Sequence, residues 1–112
     1  MCGIVGYFGP QSPKQVLMSG LKKLEYRGYD SAGVAIHNNS GFDVYRAAGK
    51  LSQLETKIEK TDFSGQLGIG HTRWATHGLP TENNAHPHKV SGVSLVQNGI
   101  IENYSELKKE LI

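Results

Sequence analysis

The chain has one cysteine, Cys2, so no internal disulfide can form and the stapled framework of small exported domains is excluded. The N-terminus also lacks the basic segment, apolar core and small-residue cleavage site of a secretory signal, which makes the cytoplasm the expected location. No stretch approaches the roughly 20 consecutive apolar residues that cross a bilayer, so no membrane partner is expected. Charge of one sign is missing as well. Twelve Lys and Arg stand against ten Asp and Glu, a net charge of +2, and the only basic doublets are Lys22-Lys23 and Lys108-Lys109. That leaves no electrostatic footprint for nucleic acid.

What is present is ordinary globular material, 38% hydrophobic and 20% charged over 112 residues, a size that suits one domain spanning 1–112. The 14 glycines are about twice the average share of roughly 7%. They are dispersed, which points to tight turns and close backbone approaches.

Gly3 to Phe8 reads as a buried strand stopped by Gly9-Pro10. Ser12 and Pro13 then open a helix with Val16, Leu17, Leu21 and Leu24 on one face, and Gly28 can end it. Ser31 to His37 and Phe42 to Ala48 flank Asn38-Asn39-Ser40-Gly41 as a hairpin. A second helix is expected over Leu51 to Lys60, with Leu51, Leu54 and Ile58 inward. Gln66 to Arg73 reads as a strand interrupted by Gly68 and Gly70, where another backbone or a ligand can come close. Trp74 to Lys89 shows no period, and a connection this long in a small domain is usually functional. Val93 to Gln97 is a further strand, and Asn103 with Glu106 resembles a capping box for a helix bearing Leu107 and Leu111. Paired strands with helices between some of them indicate a layered α/β or α+β domain with sheets at least partly antiparallel.

Three places can carry chemistry. Removal of Met1 would leave Cys2 as the first residue, its thiol and its free α-amine in one amino acid. Their ordinary pKa values, about 8.5 and about 7.7–8.0, lie close enough for the amine to serve as the base for the thiol. The competing reading of Cys2 is a small buried hydrophobe. In "HTRWATHG", His71 to Gly78, Arg73 offers a two-pronged grip for a carboxylate and Trp74 a cover for a ligand, or else Arg73 makes a surface ion pair and Trp74 fills core. Asn98-Gly99 supplies a side-chain amide and an unhindered N–H that suit an oxyanion, or a turn. His71, His77, His86 and His88 invite a metal reading. No helical His-x-x-x-His pair, acidic partner or cysteine pairing accompanies them, so neither metal nor cofactor is expected. "GQLGIG", Gly65 to Gly70, lacks the order and the ending of a phosphate loop.

"MCGIVGY", "LEYRGYDSAG" (Leu24 to Gly33), "GIGHTRWATHG" (Gly68 to Gly78), "NAHPH" (Asn84 to His88) and "NGIIENY" (Asn98 to Tyr104) together resemble the class II glutamine amidotransferases, a family of N-terminal-nucleophile hydrolases. The likeness spans nearly the whole chain, and the second and third motifs point to the branch that makes an amino sugar from fructose 6-phosphate. The resemblance implies an α+β fold, an αββα sandwich of two antiparallel sheets between helices, with Cys2 at the end of an inner strand. It implies glutamine as substrate, attacked by Cys2, with Asn98 and Gly99 holding the oxyanion. Arg73 would hold the α-carboxylate, Thr76 and His77 would line the pocket, Arg27 and Gly28 would position the Cys2 amine, and Trp74 would close over the site. Family members carry a further acidic residue for the substrate's α-amine, which would fall after Ile112 together with several core strands. The chain is therefore read as the first part of its domain, with the sandwich incomplete and the sugar-isomerising domain absent, and the full-length protein is expected to be a homo-oligomer. A different ammonia acceptor, or a non-catalytic glutamine-sensing module, would share these residues.

Overall fold

The computed structural model describes residues 2–76 and 78–112; Met1 and His77 lie outside them. Among the described residues the strands are β1 (Gly3–Phe8), β2 (Ser31–Asn38), β3 (Gly41–Ala48), β4 (Leu67–Arg73), β5 (His88–Val90) and β6 (Val93–Leu95), and the helices are α1 (Pro13–Leu24), α2 (Leu51–Ile58) and α3 (Tyr104–Leu111). One sheet has the order β1-β4-β2-β3 and a second consists of the β5-β6 pair. All pairings are antiparallel, which gives the α+β class.

Side chains alternate across a strand, so each strand of the larger sheet sorts its residues between two faces. One face carries Ala32, Val34 and Ile36 of β2, all buried, against Leu17 and Leu21 of α1 and Leu51, Leu54 and Ile58 of α2. Met18 joins this core because the helical face is wider than the Val16-Leu17-Leu21-Leu24 stripe. Helix α1 lies across β1 and β4, and α2 lies along β3. The glycines of β4 are what let α1 lie so close. A Cβ on Gly68 would meet Leu17 Cδ1 at 2.7 Å, and one on Gly70 would meet Leu21 Cδ1 at 3.3 Å. At these two positions the close approach comes from leucine side chains.

Helix ends leave backbone groups without intrahelical partners, and α2 satisfies both of its ends from outside. No side chain of its N-cap residue Lys50 helps; instead the Leu51 N–H donates to the Tyr29 hydroxyl (2.7 Å), which in turn donates to Glu25 (2.8 Å). At the other end the Lys14 ammonium donates to the carbonyls of Ile58, Glu59 and Thr61 at 3.1, 3.0 and 2.9 Å, where the helix dipole also favours a cation. Helix α2 accordingly stops at Ile58, two residues before the expected end. Between β2 and β3, Asn38 Oδ1 accepts from the Ser40 N–H at 2.8 Å and closes the turn.

Two expectations at helix starts are corrected. Ser12 and Asn103 occupy N-cap positions, but neither side chain makes a capping hydrogen bond. The Asn103 backbone has φ −96° and ψ 26°, outside the extended conformation a capping residue adopts. Helix α3 buries no residue, and Leu107 and Leu111 are exposed. Strand β5 begins inside the stretch expected to be irregular, and β6 ends at Leu95, short of Gln97.

Replacing Lys14 by Met keeps the aliphatic stem and removes the three bonds to the end of α2. The expected cost is about 1–2 kcal/mol, read as a fall in Tm of several degrees in a thermal melt. An unchanged Tm would show that water serves those carbonyls equally well.

Candidate active site

The register of the larger sheet builds the site. Gly3 pairs with Thr72 and Ser31 pairs with Arg73, so the start of β1, the end of β4 and the start of β2 meet at one edge. Cys2 arrives beside Trp74, 72 residues away in sequence. The Trp74 N–H donates to Cys2 Sγ at 3.3 Å, and the thiol faces the Trp74 carbonyl at 3.8 Å. Cys2 is half-buried, which is not the environment of an inert core thiol. The segment after β4 is held by Asp30, whose Oδ2 accepts from the Ala75 N–H at 2.8 Å, while the Asp30 N–H donates to the Arg73 carbonyl at 2.7 Å.

Past β6 the chain returns to the same edge. Asn98 Nδ2 donates to the Cys2 carbonyl at 3.3 Å, and Gly99 follows with φ +133°, a conformation that favours glycine. A cleft of about 520 Å³ opens here, lined by Cys2, Arg73, Trp74, Thr76 and Gly99 among others. Arg73 is only 9% exposed and donates to the Leu79 carbonyl at 3.1 Å, so it is no surface ion-pair residue. Trp74 is 52% exposed and does not fill core. Its ring lies over Gly28, 3.8 Å from where a Cβ would stand, with Gly28 at φ +79°. Arg27 sits on the single 3₁₀ turn before it, Glu25–Arg27, and does not line the cleft. His77 is outside the described residues.

The structure thus brings Cys2, Arg73, Trp74, Thr76, Asn98 and Gly99 to one place, with Gly28 directly behind Trp74. It adds three histidines to which the sequence reading gave no role there. His71, fully buried on β4, lies two residues before Arg73 on the same strand face, and its Nε2 is 2.8 Å from Asn98 Oδ1 and 3.1 Å from the Gln97 carbonyl. The His86 ring stacks on it (centroids 4.4 Å apart, planes at 19°), and the His88 ring tilts against His86 at 4.5 Å. Strand alternation counted back from Arg73 was the signal that could have found His71. His86 reaches the sheet because Gly33 of β2 has no side chain: a Cβ there would collide with the His86 carbonyl oxygen.

Burial pushes the pKa of all three rings down. For His71 desolvation outweighs its hydrogen bonds to Asn98 and Gln97, which act the other way. For His86, burial followed by the charges of His71, His88 and Arg73 lowers the value to about 4. His88 is lowered by burial, then by Arg46 and Arg73. The stack is therefore uncharged at neutral pH, and the cationic group of this wall is Arg73. No three His, Cys, Asp or Glu side chains among the described residues are placed to hold a metal ion. The cleft is thus lined by the Cys2 thiol, the Gly99 backbone and the Arg73 guanidinium, with the Asn98 amide on the Cys2 carbonyl.

No family model matches the chain. Curated relatives do. Over 113 residues and 99% of the chain it is 59% identical to glutamine--fructose-6-phosphate aminotransferase (isomerizing) of Thermosynechococcus vestitus. The protein of that name from Thermus thermophilus is 56% identical over 99% of the chain, and the one from Staphylococcus aureus strain Mu50 is 53% identical over all of it. The chain spans 18–19% of the length of these relatives and matches their N-terminal part. Among solved structures, the glutamine phosphoribosylpyrophosphate amidotransferase of B. subtilis, complexed with ADP and GMP, superposes with a TM-score of 0.78 at 25% identity, over 96% of this chain and 24% of that one. Identity of more than half along the whole chain makes it similar to the N-terminal part of the glutamine--fructose-6-phosphate aminotransferases, on a fold shared with a glutamine amidotransferase.

Proposed function

We propose that residues 1–112 form the first part of a glutaminase domain that releases ammonia from glutamine through a Cys2 thioester. The ammonia would serve to make glucosamine 6-phosphate from fructose 6-phosphate on a separate sugar-isomerising domain of a homo-oligomeric, cytoplasmic protein. The observation that carries this reading is the meeting of Cys2 and Asn98, 96 residues apart, at a cleft that Arg73 also lines.

In the proposed reaction, loss of Met1 frees the Cys2 α-amine, which takes the thiol proton as sulfur attacks the side-chain amide carbon of glutamine. The new C–S bond converts the carbonyl to a tetrahedral oxyanion, which accepts hydrogen bonds from Asn98 Nδ2 and the Gly99 N–H. Removal of one such donor typically costs about 2.7–4 kcal/mol of barrier. The ammonium form of the Cys2 amine returns its proton to the departing nitrogen, the C–N bond breaks, and ammonia leaves. Water, deprotonated by the same amine, then cleaves the thioester to glutamate. Arg73 pairs with the substrate's α-carboxylate, a charge-assisted bond of the stronger class. Thr76 and His77 line the pocket, Trp74 covers it, and Arg27 and Gly28 hold the segment that positions the amine.

Three outcomes are expected with the full-length protein. Glutamine should yield glutamate, and fructose 6-phosphate should stimulate its release; stimulation by a different acceptor would move the protein to another branch, and no release under either condition would leave a binding module. Cys2→Ala should abolish glutamate release with the thermal melt unchanged, whereas retained turnover refutes the nucleophile. Arg73→Ala should raise KM for glutamine by about 10- to 100-fold, the loss of one charge-assisted bond, and leave kcat much less affected.

A further inference from the structure

We infer that His71 is the positioning residue of Asn98: the buried imidazole holds the carboxamide oxygen so that the amide nitrogen faces Cys2. This rests on the proposed thioester chemistry and adds the group that aims its oxyanion donor.

The tautomer follows from the partners. His71 Nε2 lies 2.8 Å from Asn98 Oδ1 and 3.1 Å from the Gln97 carbonyl. Both are acceptors, so Nε2 carries the proton and shares it between them. Nδ1 is then a bare lone pair, and it is buried without a hydrogen-bond partner among the described residues. A ring with one committed N–H and one dry lone pair has a single role left, to donate towards Asn98.

The orientation of the amide follows in turn. With Oδ1 on His71, Nδ2 points to the Cys2 carbonyl at 3.3 Å. Turned over, the amide would set two oxygens against each other at Cys2 and two N–H groups against each other at His71. Both neighbours select the same orientation, and one N–H of the two on Nδ2 stays available to a ligand on the Cys2 side. The ring that enforces this cannot swing away, because it is fully buried on β4 and stacked on His86 at 4.4 Å. Pre-aimed donors of this kind act without reorganisation at the moment of reaction.

Steady-state glutamine hydrolysis by the full-length protein tests the assignment with two substitutions that separate ring from donor. His71→Phe keeps the ring and removes the N–H. Its kcat should fall by about 10- to 100-fold, part of the loss that deleting an oxyanion donor causes, with KM for glutamine within about threefold because Arg73 is untouched. His71→Gln keeps an N–H at comparable reach and should recover most of that loss. In an Asn98→Ala background, His71→Phe should change kcat by less than about twofold, since the group it acts through is gone. Alkylation of Cys2 by iodoacetamide forms no oxyanion, so its rate should be the same in all variants. Wild-type kcat in His71→Phe, a Gln variant as slow as the Phe variant, or a further loss of full size in the Asn98→Ala background overturns the inference. Wild-type protein that releases no glutamate would instead sink the proposed function and carry this inference with it.

Discussion

Everything at the site depends on one backbone ladder, the antiparallel pairing of β1 with β4. A chain start is ordinarily the least ordered part of a domain, and a nucleophile placed there would lose its geometry to fraying. Six consecutive pairs, Gly3 with Thr72 through Phe8 with Leu67, convert that end into the edge of a sheet. The pairing also sets direction. Because the strands run antiparallel, the start of one lies against the end of the other, and Cys2 is delivered to the Trp74 amide. A shift of one residue in this register would turn every side chain of β1 to the opposite face, sending Val5 out of the core it shares with α1 and taking Cys2 away from Trp74. Core packing and site geometry are thus enforced by the same register.

Strand β4 serves two masters across its two faces. Towards α1 it presents Gly68 and Gly70, which give up side chains so that Leu17 and Leu21 can press against the backbone. Towards the cleft it presents His71 and Arg73, both almost fully buried. Flanking it, β2 gives up a side chain at Gly33 to admit the His86 carbonyl. Gly33, Gly68 and Gly70 therefore let a layer pack close against each face of the sheet, one of them the wall of the site, while Gly28, Gly41, Gly49, Gly78 and Gly99 supply positive-φ positions.

Most of the fold was legible because its signals are local. Periodic apolar positions identified α1 and α2, an apolar run ended by Gly9-Pro10 identified β1, and β-branched and aromatic residues on either side of the Asn38 to Gly41 turn identified β2 and β3. Signals that depend on what a segment packs against were not legible. The Lys14 clamp on α2 joins residues 44 to 47 positions apart, and no sequence window contains both partners. Asn103 and Glu106 have the spacing of a capping box, yet spacing says nothing of backbone conformation, and the conformation at Asn103 is wrong for it. At the site, residue types such as Cys2, Arg73 and Asn98 stand out by their chemistry. His71 did not, because a histidine in a strand is ambiguous until its face is known. Once Arg73 is assigned to the cleft, the two-residue period of a strand places His71 there as well.

Neutrality of the histidine stack has a consequence for the charge balance of the cleft. A protonated ring at His71 or His86 would sit close to Arg73, and burial would leave little solvent to screen the repulsion. Keeping the rings uncharged removes that cost and leaves Arg73 as the cation a carboxylate would meet on this wall. Asn98 and the neighbouring peptide groups are neutral dipoles that point in fixed directions and do not titrate. In the proposed reaction, binding of an anionic group and stabilisation of a transient oxyanion would fall to different kinds of donor, a guanidinium for the charge present throughout and oriented amides for the charge that appears only in the transition state. That division lets affinity and rate be set by separate residues along one strand and the loop that returns to it.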